Sequence, residues 1–585
     1  MPTSPKTRVL IVGGGLGGLV LAILLQRAGI DYLVLEQSVL IRPIGSVIAL
    51  SPLVLPLMEQ LGLLDEIKLL SKPLGKITIL RDDLSVVGNI VANSKHMDYQ
   101  QRYGHYGQCI TRPDLYNILL SKIPKERIHL GKRFVNSQNI IDPATRICHQ
   151  VQVRCSDGSL YLADVLVGAD GASSAVRQSL FRQIKEEHGN GIGGHGHSQK
   201  PLPKQDQEEQ RYKQVALVGV TSSLNLKRYP DLGETFSQFK VILNRHSPYM
   251  SWFMPVVGNR YCWLVTRTLE KSTLIHSNNS KESEWGPDAT DEMSKAVRHL
   301  KGPDEGGQGT VGDLVDATDR QLISKVMLEE RIFRTWYGGR TILLGDGTPS
   351  PAAPATPSIP SSNRHRTDSV HTSSLSSTVI TWTVKDLHRK VFKPYYQARL
   401  PVVREAVDSS STFGTLLVKD GWLAEVKRKL VFTIQDSWMG RSLVDRAHAH
   451  RIQATFLKLA PDRGSVPPSQ GKIVVALKEG DGGGGGSEEE EDRYQDMDSS
   501  EGRRRLDMQL LQLQQVQQMK QQQQQPHLYR HHEDQQGEQE DSNQQHQAIC
   551  NKHSDSTHHQ YSTTQDKGHA QVDEFMTGLS STIVL

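Results

Sequence analysis

At 585 residues the chain is long enough for two to four domains, but a hydrophobic content of only 37% implies that part of it builds no core. The net charge of +4 hides an imbalance: from Gly471 onward 10 Lys and Arg face 20 Asp and Glu, while the remainder carries 58 against 44. A basic body suits a phosphate-bearing cofactor or an anionic surface, and its charge is too dilute for a nucleic-acid binder.

Residues 7 to 36 read as one βαβ unit. A β-branched run over 8–12 predicts a buried parallel strand, 16–28 carries apolar residues at helical spacing without proline, and 32–35 predicts a second strand after Gly29. Between strand and helix, Gly13, Gly15 and Gly18 occupy the G-x-G-x-x-G positions. Gly13 allows a tight turn, Gly15 lets backbone approach a pyrophosphate, and Gly18 lets helix pack on strand. The helix start then offers N–H groups and a partial positive charge to phosphate. Glu36 follows the second strand, about 20 residues after the first glycine, where a carboxylate can accept bonds from ribose hydroxyls. The run Gly189–Gly194 spells the same glycine pattern without a preceding strand or a following helix, and reads as a loop.

Further on, 44–52 mixes small residues into an apolar strand pattern, which lets a flat ring pass close to backbone. A helix over 53–61 stops at Gly62. At 110–119 a strand turns into a helix, with Thr111 as N-cap, Pro113 in the first turn and Arg112 at the entrance, where its donors can bridge phosphate or ribose. A second landmark is the strand 163–168 ending in Ala169-Asp170-Gly171, followed by a helix from Ser173. Four strands follow at 215–220, 237–243, 251–257 and 261–266, and their aromatic residues Trp252, Phe253, Tyr261 and Trp263 either line a pocket or form sheet core. The third landmark, 339–347, is another apolar strand running into Gly345-Asp346, at the strand end where open α/β sheets place ligands.

In this order and at these separations the three landmarks resemble the FAD-dependent aromatic-ring-hydroxylase type of flavoprotein monooxygenase, the class A, p-hydroxybenzoate hydroxylase-like family. The nearest likeness is to fungal enzymes of secondary metabolism that hydroxylate or epoxidise polyketide and terpenoid intermediates, and it spans roughly residues 7 to 430. The resemblance implies an α/β architecture: a discontinuous Rossmann-like FAD-binding domain with an antiparallel-sheet substrate domain, to which composition adds a disordered C-terminal tail. It implies that Gly13, Gly15, Gly18 and Glu36 hold the ADP half of FAD, and that Ala49 and Arg112 make further flavin contacts. Asp170 and Gly171 would lie near the pyrophosphate and the NAD(P)H path, and Asp346 would bind the ribityl chain. The implied activity is that of a monooxygenase: NAD(P)H reduces FAD, O2 adds at flavin C4a, and the resulting hydroperoxide delivers one oxygen to a small hydrophobic or aromatic substrate. The family shares no single acid or base, so no catalytic residue is named. A reductase or halogenase on the same fold, and a degenerate non-catalytic copy, are the alternatives.

One departure stands out. The family follows Gly-Asp with a Pro-x-x-Gly-x-Gly loop opening a helix beneath the flavin ring, whereas here Asp346 leads into a Ser/Pro/Thr run in which no helix can start. Retained intron sequence or degeneration of this copy would each account for it. The domain boundaries expected are 1–183 and 332–346 for the FAD-binding domain, 184–212 for a disordered insertion and 213–331 for the substrate sheet. A low-complexity insert fills 347–380, a helical region 381–470, and a disordered Gly/Glu/Gln/His-rich tail 471–585. The five cysteines are odd in number and lack metal-ligand spacing, which implies free thiols in a reducing compartment and no metal site. No run approaches the ~20 apolar residues of a membrane span. The expectation is a cytoplasmic protein acting on a small molecule, with peripheral membrane association left open.

Overall fold

The computed structural model describes residues 7–39, 46–95, 97–145, 147–189, 201–208, 211–244, 247–274, 287–329, 331–345, 383–418, 428, 432, 437–448, 451–454 and 456–468. Asp346, the insert at 347–380 and the tail from 471 therefore lie outside the described residues.

The strand Thr7–Val12 is buried because it is the middle of a parallel sheet, paired on one side with Tyr32–Leu35 and on the other with Leu160–Gly168. Its side chains alternate between two cores: Leu10 and Val12 face one, Ile11 the other. The helix Leu16–Arg27 buries Leu16, Leu19, Val20 and Ile23 against the second of these. It ends where Gly29 turns left-handed at φ +69°, with Gly29 N–H donating to Gln26 O and Ile30 N–H to Leu25 O. These two bonds satisfy the last carbonyls and reverse the chain into the second strand. Across the sheet the order is Tyr337–Gly338, Thr341–Leu343, Leu160–Gly168, Thr7–Val12, Tyr32–Leu35, Ile128–His129, with the hairpin Phe134–Ile141/Cys148–Cys155 attached to Leu160–Gly168.

A second sheet of nine strands runs Ser324–Glu329, Arg211–Val220, Arg260–Leu274, Tyr249–Val256, Ser237–Leu243, Ser71–Arg81, Gln108–Thr111, Val47–Leu50, with Val86–Val91 paired to Ser71–Arg81. It is antiparallel as expected, apart from the parallel pairing of Ser71–Arg81 with Ser237–Leu243. That pairing corrects the boundary drawn at 1–183. Four strands between Val47 and Thr111 belong to the second sheet, so the two domains are interleaved in sequence. One face of this sheet packs on the helices Pro287–Val297 and Val311–Asp316; the other meets Val47, Tyr99, Tyr103, Cys109 and Val444.

The stretch 184–212 is also not simply an open insertion. The helix Ala175–Gly189 runs through its first residues because Leu180 and Ile184 remain on the buried face, and Gly189 closes it. The rest of the second glycine run lies outside the described residues. Beyond it, Asp206 is buried and accepts the Arg334 and Thr335 N–H groups at 2.8 Å each, pinning the approach to the return strand. The helix Lys393–Val418 and the π-helical turn His388–Phe392 before it dock on that segment through aromatic contacts: Trp336 meets Tyr395 and Tyr396 of the helix, and Tyr337 meets His388 and Phe392 of the turn. Among the described residues no helix is long and apolar enough to cross a membrane.

Candidate functional site

The glycine turn is built by close contacts. Gly13 sits at φ +109°, and a Cβ there would lie 2.3 Å from Ala169 O, so the first landmark is pressed against the second. At Gly18 a Cβ would lie 2.0 Å from Gly13 O. Gly15 differs: a Cβ built there meets nothing within 4 Å. Two glycines are thus required by the protein's own packing, and the third faces open space. No side chain caps the helix Leu16–Arg27. Its first-turn N–H groups have no intrahelical partner, and the positive end of its dipole faces the same opening. The Glu36 carboxylate stands against this turn, accepting Gly14 N–H and Ser38 N–H at 2.8 Å each.

Ala49 and Arg112 are held by one strand pair. Val47–Leu50 pairs antiparallel with Gln108–Thr111, which puts Ala49 opposite Cys109, and Arg112 N–H donates to Ser46 O at 2.8 Å. Thr111 caps the helix Arg112–Leu120 by accepting Asp114 N–H at 3.2 Å. On that helix the structure adds a residue the sequence reading missed. Tyr116 lies close enough to Glu36 and Arg112 to feel both charges. Burial pushes its phenol up to about 12, with Glu36 raising it further and Arg112 opposing. Its only sequence signal is its position four residues after Arg112, on the same helical face.

The Asp170 carboxylate turns to its own helix. One oxygen accepts Ser174 Oγ at 2.6 Å, the other accepts Ala175 N–H at 2.7 Å and Val176 N–H at 3.1 Å. Asp170 therefore sets the turn, while Gly171, left-handed at φ +84°, leaves its side open. The third landmark reaches the same end of the sheet: Leu343 pairs with Gly168, and Leu344 N–H donates to Gly168 O at 2.8 Å. Asp346 itself lies outside the described residues.

The four sheet aromatics separate by face. Phe253, Tyr261 and Trp263 join the core under the helices, where Tyr261 donates to Asp231 Oδ1 and Trp263 Nε1–H to Thr318 Oγ1. Trp252 lies on the opposite face with Met254, Cys262 and Ala49, and its buried indole N–H meets no acceptor among the described residues.

A family model described as FAD binding domain matches residues 6–193, the span that holds the glycine turn, Glu36, Arg112 and Asp170. The chain is also similar to fungal proteins named FAD-dependent monooxygenase. It is 28% identical to ptmM of Penicillium ochrochloron over 58% of this chain and 72% of that one, and 28% identical to paxM of Penicillium paxilli over 58% and 63%. With ntnA of Nectria sp the identity is 31% over 58% and 41%. These similarities support a class A flavoprotein monooxygenase. The chain's match covers less than two thirds of most of these relatives. The fold of this chain is shared with HpxO of Klebsiella pneumoniae, crystallised with FAD and uric acid, at a TM-score of 0.52 and 18% identity over 76% of this chain and 96% of that one.

The cradle also fits a dinucleotide on its own geometry. It has a glycine with open space at its Cβ, an uncapped helix start, and an acid fixed beside the turn by two backbone N–H groups.

Proposed function

We propose that the chain binds FAD in this cradle and acts as a monooxygenase, taking electrons from NAD(P)H and one oxygen atom from O2 to hydroxylate or epoxidise a small hydrophobic or aromatic molecule. The observation that carries the reading is the open side of Gly15 beside the anchored Glu36. Bound flavin would supply the redox and oxygen chemistry. The chain's part is to hold and shield. Gly13, Gly15 and Gly18 would let backbone reach the pyrophosphate, and Glu36 would accept hydrogen bonds from the ribose hydroxyls. The Arg112 guanidinium would bridge phosphate or ribose, Ala49 would leave room for the ring, and the Asp170-Gly171 turn would border the pyrophosphate. Asp346 is assigned the ribityl chain by likeness of sequence. The substrate would lie against the sheet face of Trp252, where apolar walls exclude water and one buried N–H awaits an acceptor.

The test starts with the purified full chain. A yellow protein with the visible flavin band, and NAD(P)H oxidation that depends on both O2 and an aromatic or alkene substrate, is the expected result. Oxidation indifferent to O2 would favour a reductase. A colourless chain that added FAD cannot reconstitute would overturn the flavin reading and favour the non-catalytic copy.

A further inference from the structure

The hairpin Phe134–Ile141/Cys148–Cys155 leaves apolar side chains in water at its closed end. Ile140, Ile141 and Ile147 are 36%, 55% and 41% exposed. The register slips between Ile140 and Ile141, and two successive isoleucines are exposed where a regular strand would alternate. Asp142 fixes the turn by accepting Ala144 N–H at 2.8 Å and Thr145 N–H at 3.2 Å, so the isoleucines are presented on ordered backbone. A basic surface adjoins this end. Around the π-helical turn His388–Phe392, Lys385, Arg389, Lys390 and Lys393 are exposed, and Val391 is 41% exposed among them. Asp386, the one acid in that span, accepts Thr383 Oγ1 at 2.7 Å and lies 3.9 Å from Lys390 Nζ, which leaves positive charge in excess. Residues 339 and 340 join the two parts. His388 Nε2 lies 2.8 Å from Gly339 O, a Cβ on Gly339 would overlap the Asn139 amide, and Arg340 donates to Cys148 O at 3.0 and 2.8 Å. Asn139 precedes Ile140 and Cys148 pairs with Ile141, so the apolar hairpin end and the basic turn are neighbours.

We propose that this edge of the protein docks on an anionic phospholipid membrane, the isoleucines and Val391 entering its apolar boundary while Lys385, Arg389, Lys390 and Lys393 meet the headgroups. Charge complementarity identifies the partner. Basic side chains beside exposed aliphatic ones are drawn to negative headgroups, and the aliphatic tips then leave water for the acyl boundary. Size argues against a protein in that place: a stable protein interface buries about 800 Å² on each side, whereas a few part-exposed aliphatic side chains at a hairpin end need only a shallow apolar phase. Such docking is peripheral and needs no spanning helix, and it does not depend on the FAD reading.

The experiment mixes the full chain with vesicles of phosphatidylcholine alone and of equimolar phosphatidylcholine and phosphatidylserine, and measures the bound fraction by cosedimentation at low and high salt. The wild type should bind the anionic vesicles about tenfold more tightly than the neutral ones, and high salt should remove the difference. Arg389→Gln with Lys393→Gln should weaken binding to the anionic vesicles about tenfold. Ile141→Ser with Ile147→Ser should weaken binding to both kinds of vesicle. Both double variants should melt at the wild-type temperature, because the altered side chains are exposed. A wild type that ignores anionic vesicles, or vesicle binding that survives both double substitutions, would overturn the proposal. If the isoleucine variant instead dissolves a wild-type dimer and leaves vesicle binding intact, the hairpin end is a contact between copies and the proposal falls.

Discussion

The glycines of one motif do different work, and single substitutions separate them. At Gly18 an added methyl would overlap Gly13 O, so Gly18→Ala should cost the ligand-free protein about 1–3 kcal/mol, read as a lower urea midpoint. Gly15→Ala places its methyl in open space, so the ligand-free protein should lose less than about 1 kcal/mol, the scale of a changed N-cap. Its FAD affinity should nevertheless collapse, because the methyl occupies the space the pyrophosphate requires. Equal effects of the two variants on free-protein stability would contradict this division. Glu36→Gln keeps an acceptor toward the backbone but gives up the charge. A charge-assisted bond is worth about 1.5–3 kcal/mol, so FAD should bind roughly 10- to 100-fold more weakly in a fluorescence titration. At this scale the sequence was readable where a residue's role is set by its immediate backbone, as at Gly13, Thr111 and Gly29. It was unreadable for Tyr116, whose identity is unremarkable until its neighbours are known.

Elements are joined by a few buried polar contacts that no periodicity announces. Asp206 lies in a stretch whose Gly, His and Lys content signals an exposed loop, yet its carboxylate satisfies the N–H groups of Arg334 and Thr335 ahead of the return strand. Asp206→Ala would leave both partly buried donors without their partner and should lower stability by about 2 kcal/mol in chemical denaturation, with Asp206→Asn restoring part of it. A comparable clasp ties the helix Trp438–His448 to the helix Tyr99–Tyr103. The Arg102 guanidinium meets Asp445 at 3.1 and 2.5 Å, and Tyr103 donates to the same carboxylate at 2.8 Å. Helix and strand positions followed from alternation and capping residues. Which elements touch did not follow, because contact between residues 102 and 445 or 206 and 334 leaves no local trace.

Over the whole molecule, two buried histidines set a response to acid. His448 is fully buried, stacked on Tyr103 at 4.5 Å, and donates through Nδ1 to Val444 O; burial brings its pKa down to about 4. Asp445 opposes that shift and Arg451 adds to it. His105 is brought down to about 4 by burial, helped by Lys68 and Arg463. Above the unfolded value of about 6.5 neither affects stability. Between that value and 4 the unfolded chain takes up protons that the folded chain refuses, so stability falls as pH falls, on the order of 3 kcal/mol for His448. Urea melts at pH 7 and pH 5 should show the loss, and His448→Phe, which keeps the ring stacked on Tyr103, should lessen it. A wild type equally stable at both values would rule this out.

The amino-acid sequence determined by itself what adjacent residues decide: a left-handed turn only glycine adopts, β-branched strands, caps, and the acid after the second strand. From these came the cradle and the chemical class of ligand it suits. Tertiary structure alone decided that the strands between Val47 and Thr111 cross into the second sheet, that Trp252 faces away from the other three aromatics, and that Tyr116 comes near enough to Glu36 to feel its charge. The reason is physical: a backbone's local preferences act within a few residues, whereas strand pairing and burial are settled by which distant surfaces exclude water together.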